Sequence, residues 1–197
     1  RTVVHFAGVL STARVYLNGH QLGNRTSGYL PFDFELTPWL HRGDNVLAVV
    51  VDSRWGLDVP PERPKPWRAQ SIDYYQAGGI TRPVAVRELP HRYVEDVFAK
   101  PVDVLTPTRR LEVTGQLDSS RPVAGQVVLV AQLLDGDDVV AEASTSVPGQ
   151  RTGKVPFSLD LTGLEQVRLW DVDDPYLYRL RVRALVSGQL VHQETVR

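Results

Sequence analysis

Apolar and polar residues alternate in short runs along most of the chain, and turn-forming residues separate the runs. A period of two sends successive side chains to opposite faces of a strand, so the pattern predicts an all-β protein. Residues 2–9 alternate around Val4, Phe6 and Gly8. Residues 13–17 and 21–23 flank Asn18-Gly19, a hairpin signal because both central turn positions need positive φ. Residues 29–36 alternate through Leu30, Phe32 and Phe34, and both phenylalanines are assigned to the core. Residues 45–52 hold an unbroken Val/Leu/Ala run, which predicts a strand buried on both faces. The turn before it is Arg42-Gly43-Asp44-Asn45.

Residues 53–77 interrupt this rhythm with Pro60, Pro61, Pro64 and Pro66 among Trp55, Trp67, Tyr74 and Tyr75. An irregular stretch of this length is uncommon in a compact domain unless it has a task. Residues 84–89 resume as a strand, and Pro90-His91-Arg92 reads as a linker. A second set of strands follows at 94–99, 111–117, 126–134, 139–147, 155–161, 177–186 and 189–196. Asp135-Gly136-Asp137-Asp138 and Ser187-Gly188 are its hairpin turns, and residues 161–164 read as one helical turn. The spacing is that of a small sandwich without the cysteines of an antibody domain. Trp170 and Tyr178 are assigned to its core or the core's edge.

The chain has 197 residues, enough for one large domain or two small ones. A net charge of −1 provides no basic face for nucleic acid, and no apolar run is long enough for a helical membrane span. With no cysteine there is neither a disulfide nor a thiolate metal site, and the compartment is not legible. Arg1-Thr2-Val3-Val4 looks like a strand already under way, so the start reads as a cut inside a longer protein.

Four segments, in this order and spacing, carry a resemblance: Val15-Tyr16-Leu17-Asn18-Gly19-His20-Gln21-Leu22-Gly23, Gly28-Tyr29-Leu30-Pro31-Phe32-Asp33-Phe34, Val46-Leu47-Ala48-Val49-Val50-Val51-Asp52 and Gly78-Gly79-Ile80-Thr81-Arg82-Pro83. Together they resemble the N-terminal sugar-binding domain of the family 2 glycoside hydrolases, which include β-galactosidases, β-glucuronidases and β-mannosidases. Trp170 with Pro175-Tyr176-Leu177-Tyr178-Arg179-Leu180 is similar to a recurring segment of that family's next domain. The resemblance implies an incomplete jelly-roll sandwich over residues 1–90, lacking its first strands. An immunoglobulin-like β-sandwich over residues 92–197 would follow it. It also implies a parent enzyme that hydrolyses terminal β-glycosides, β-galactosidase-like, whose (α/β)8 catalytic barrel lies outside this chain.

Sugars are held by aromatic faces against their C–H patches and by carboxylates and amides on their hydroxyls. The stretch Trp67 to Arg82 has that mixture. In the family the corresponding loop reaches the mouth of the barrel, where an acidic residue six positions before the Gly-Ile pair contacts substrate hydroxyls. Asp73 stands six before Gly79 and takes that role by resemblance, with Trp67 and Tyr74 as further substrate-binding candidates. Gly78 and Gly79 are expected to supply positive φ or a close backbone approach. Arg82 is expected to anchor the loop through carbonyls or a carboxylate.

Glycoside hydrolysis needs two carboxyls at a set separation. In the family both are glutamates on barrel strands, and no strand–helix alternation occurs here, so no catalytic residue is assigned. The five histidines lack metal-ligand spacing, and Asp171, Asp173 and Asp174 read as a solvated turn, so no metal site and no cofactor is assigned. The expected partners are a β-glycoside carbohydrate and the barrel, with a homo-oligomer left open and neither nucleic acid nor membrane expected. A free-standing carbohydrate-binding or adhesion module is the competing reading. The encoding reading frame separates the two, since the enzyme requires a strand–helix region after Arg197.

Overall fold

A computed structural model describes residues 1–54 and 77–197, more than half of them in antiparallel strands. Among the described residues the only helix is a single 3-10 turn, Thr37–Trp39. The chain divides into two compact units, Arg1–Leu89 and Pro90–Arg197.

In the first unit the strands are β1 (Thr2–Phe6), β2 (Val9–Leu10), β3 (Thr12–Leu17), β4 (His20–Thr26), β5 (Phe32–Glu35), β6 (Leu47–Asp52), β7 (Gly79–Ile80) and β8 (Val84–Glu88). They form sheets ordered β5-β1-β8 and β4-β3-β6, with β2 paired to β7. The run 2–9 thus splits in two, because the chain leaves the first sheet after Phe6 and pairs elsewhere from Val9. Val4 and Phe6 of β1, Ala13, Val15 and Leu17 of β3, and Phe32 and Leu36 enclose one core. Phe6 stacks on Phe32 at 5.0 Å between centroids, and Phe34 packs edge-on to Phe32 at 5.7 Å, at the border of that core. On the opposite face of β5-β1-β8, Asp33 joins His5 at 2.6 Å and Arg87 at 2.5 Å, and Arg1 joins Glu35 at 2.8 Å.

The hairpin at Asn18-Gly19 has φ of 52° and 84°, as its residues require. Its asparagine also holds a neighbouring loop. Asn18 Nδ2 donates to Trp39 O at 2.9 Å and to Asn45 Oδ1 at 2.8 Å, while Asn18 Oδ1 accepts from Val46 N at 2.9 Å. The strand β6 departs from expectation. Among the described residues it pairs only to β3; Val49 and Val51 pack on the core, but Val50 is 47% exposed. The unbroken apolar run therefore marks one buried face.

In the second unit the strands are β9 (Arg92–Val102), β10 (Arg110–Ser119), β11 (Gln126–Asp135), β12 (Asp138–Pro148), β13 (Gly153–Leu161), β14 (Arg179–Val186) and β15 (Gln189–Val196). A three-stranded sheet, β13-β10-β9, and a four-stranded sheet, β12-β11-β14-β15, share one core. Val113, Leu117, Val155 and Phe157 come from the first sheet, and Val127, Leu129, Val182 and Ala184 from the second. His192 of β15 spans the two sheets, its Nδ1 accepting the Val94 backbone N–H of β9 at 3.1 Å. No helical turn forms at 161–164: β13 runs to Leu161, and Gly163 follows with φ of 73°.

Candidate functional site

The candidate sugar-contacting residues Trp67, Asp73 and Tyr74 lie outside the described residues, as does nearly all of the irregular stretch 53–77. The structure describes the two ends between which that stretch runs. On one side, β6 ends at Asp52, followed by Ser53 and Arg54. On the other, the chain returns at Gly78 and enters β7, where Gly79 faces Leu10 and Ile80 faces Val9.

Several contacts fix these ends. The backbone N–H and the hydroxyl of Ser11 both donate to Asp52 O, at 3.3 and 3.1 Å. The Arg54 guanidinium forks onto the Asp52 carboxylate at 3.0 and 2.6 Å, and the Arg54 N–H adds a bond at 3.1 Å. The Arg54 side chain, then its backbone N–H, pulls the Asp52 carboxyl down to about 2, and the side-chain bonds raise the Arg54 guanidinium. This carboxylate is a closed structural group and is not poised for acid–base work.

Gly78 is required by proximity. A Cβ there would fall 2.4 Å from both Cβ and Oγ of Ser53, so the two ends touch where only a glycine fits. Gly79 supplies the other property, with φ of 109°. Thr81 N–H then donates to Gly8 O at 3.2 Å, and Ala7 N–H to Pro83 O at 3.0 Å. Arg82 crosses over Gly8, where a Cβ would sit 2.9 Å from Arg82 Cδ, and it donates to Tyr29 O at 3.0 Å. The motif residues Gly78, Gly79, Arg82 and Tyr29 thus form one clamp at the base of the stretch. Asp52 entered the sequence reading only as the end of an apolar segment, and Ser11 and Arg54 were not singled out. The one signal they carry is an Asp-x-Arg pair at the end of an apolar run, which is common on any surface.

In the second unit the acidic turn closes on itself. Asp174 grips the Arg168 guanidinium through both oxygens, and Asp171 Oδ1 accepts the Asp173 N–H at 3.0 Å. Arg168 lies over the Tyr176 ring at 4.4 Å, and its N–H donates to the Tyr178 hydroxyl at 2.8 Å. Tyr178 packs on the core as expected, but Trp170 does not, being 58% exposed. Polar contacts close its turn, so the indole is not needed to seal the sandwich. It borders an apolar cavity of about 460 Å³ with Leu105, Leu164, Val167 and Leu177. Among the described residues, no group of three or more His, Asp or Glu side chains could hold a metal ion.

Comparison with known proteins covers the chain end to end. Residues 1–90 match the model of the glycosyl hydrolases family 2 sugar binding domain, and residues 92–197 match that of glycosyl hydrolases family 2. A β-galactosidase of Thermoanaerobacter pseudethanolicus is 26% identical over 99% of this chain and 25% of its own length. A β-galactosidase of Thermoanaerobacterium thermosulfurigenes is 31% identical over 94% of this chain and 25% of its own. A β-glucuronidase structure from Bacteroides uniformis shares the fold with a TM-score of 0.86 at 22% identity, covering 99% of this chain and 24% of that one. The chain spans about a quarter of the length of these relatives.

Proposed function

The chain belongs to glycoside hydrolase family 2, and from that membership we propose that it is the non-catalytic N-terminal portion of an enzyme that hydrolyses terminal β-glycosides, β-galactosidase-like in substrate. The observation that carries this reading is the pair of adjacent family matches in a chain only a quarter as long as its relatives. In this reading residues 1–90 are a jelly-roll sugar-binding domain. Residues 92–197 are an immunoglobulin-like spacer, which the facing three- and four-stranded sheets support. Both catalytic carboxyls belong to an accompanying (α/β)8 barrel, and this chain alone performs no hydrolysis.

The first unit's part in the reaction is to shape the substrate pocket. Asp73 accepts hydrogen bonds from sugar hydroxyls, while Trp67 and Tyr74 cover apolar faces of the ring. The clamp of Gly78, Gly79 and Arg82 supports this role, because contacting side chains need a fixed base to be oriented reproducibly. The apolar end of the second unit, with Leu105 87%, Trp170 58% and Leu177 51% exposed, is the surface on which that spacer meets the barrel.

The test is Asp73→Ala in the full-length enzyme. A charge-assisted hydrogen bond to a sugar hydroxyl is worth about 1.5–3 kcal/mol. At 1.36 kcal/mol per decade, kcat/KM should fall roughly ten- to hundredfold with little change in Tm. Unchanged kcat/KM with a clearly lowered Tm assigns Asp73 to a structural turn instead.

A further inference from the structure

On the outer face of β13-β10-β9 the strands carry a groove of about 500 Å³. A bulge builds it. Asp96 and Val97 of β9 together oppose Gly115 of β10, and the register shifts between Thr114 and Gln116. Asp96 takes φ of 56° there, as the extra residue of a bulge does. Gly115 leaves room for the Phe157 ring, since a Cβ on it would lie 2.6 Å from that ring. Cross-strand register then sets Phe98, Thr114 and Ser158 in one row, and Gln116 beside Pro156 in the next. Phe98 is 61% exposed in the middle of this face.

The polar groups here differ from those around them. At one border Lys154 is paired with Glu95 at 2.7 Å. At the other, Arg110 is paired with Asp103 at 2.8 Å and Glu112 at 2.7 Å, and Lys100 with Glu112 at 3.7 Å. Among the described residues, the side chains of Asp96, Thr114, Gln116 and Ser158 have no intramolecular partner, and all four line the groove beside Phe98.

We propose that this groove is a second carbohydrate site, for a neutral pyranose, separate from the sugar-contacting residues proposed in the first unit. The Phe98 ring covers the apolar C–H face of the sugar. The Asp96 carboxylate accepts from sugar hydroxyls, the Gln116 amide both donates and accepts, and the Thr114 and Ser158 hydroxyls complete the set. A uronic acid is refused, because Asp96 is the one unpaired charge in the groove and the bordering cations are already committed to carboxylates. Strands hold all five residues, so binding requires no ordering of a loop. The site does not depend on what the catalytic region hydrolyses.

The experiment is an amide NMR titration of the 197-residue chain with methyl β-D-galactopyranoside, methyl β-D-glucopyranoside and methyl β-D-mannopyranoside, and separately with methyl β-D-glucuronide. At least one neutral glycoside should give saturable shifts at Phe98, Thr114, Gln116 and Ser158, and the glucuronide should not. Phe98→Ala should weaken that binding at least tenfold, and Gln116→Ala severalfold. Both residues lie on the outer face of the sheet, so retained dispersion of the remaining amides verifies the fold of each variant. Four results would each overturn the proposal: no saturable shift in the groove with any neutral glycoside, shifts confined to other residues, equal binding of the glucuronide, or undiminished binding in Phe98→Ala.

Discussion

His192 shows how one titratable side chain couples the second unit to pH. Its Nδ1 accepts the Val94 N–H at 3.1 Å and its ring packs edge-on to Tyr93 at 5.9 Å, so the neutral form is the one that fits. Burial pushes the imidazole below its ordinary value, against a smaller raising influence from Glu194. The unfolded chain therefore binds this proton more readily than the folded one. The contribution is complete above the ordinary histidine value of about 6.5 and is lost as the pH falls through the depressed folded value. His192→Asn retains an acceptor near the Nδ1 position and cannot titrate in this range. Melting curves at pH 8 and pH 5 should show a smaller acid-side loss of Tm in this variant than in the parent chain. An identical loss in both would remove His192 from the pH response.

At the scale of elements, the hairpin of β3 and β4 was legible because its turn chemistry is local: Asn18-Gly19 admits few other conformations. What Asn18 does beyond the turn was not legible. Its bonds to Trp39, Asn45 and Val46 join residues 21 to 28 positions away, and no periodicity encodes such a bond. Asn18→Ala loses three side-chain hydrogen bonds at about 0.5–1.5 kcal/mol each and strains a position of positive φ. Urea denaturation should show the first unit weakened by about 2 kcal/mol, with the second unit unaffected. A loss below about 0.5 kcal/mol would mean that water replaces the network without cost. The strand β6 failed for a related reason, because an apolar run does not state whether one or both faces of its strand are covered. Trp170 failed because exposure depends on what closes its turn, and the Arg168–Asp174 pair does so. The Phe98 groove was invisible because it depends on a bulge and on register between three strands.

For the whole molecule, the alternation of residues was enough to give an all-β chain, and the order of four motifs was enough to give the family. The clamp at the ends of the stretch 53–77 draws together motif residues from positions 29 and 78–82, which explains their joint presence in sequence. The central claim is that these two units assist a glycosidase without containing its chemistry, and hydrolysis itself tests it most directly. The purified 197-residue chain should be assayed against 4-nitrophenyl β-D-galactopyranoside, β-D-glucuronide and β-D-mannopyranoside. The account predicts no release of nitrophenol above buffer for any of the three. Turnover that a single Asp or Glu substitution within this chain abolishes would contradict it.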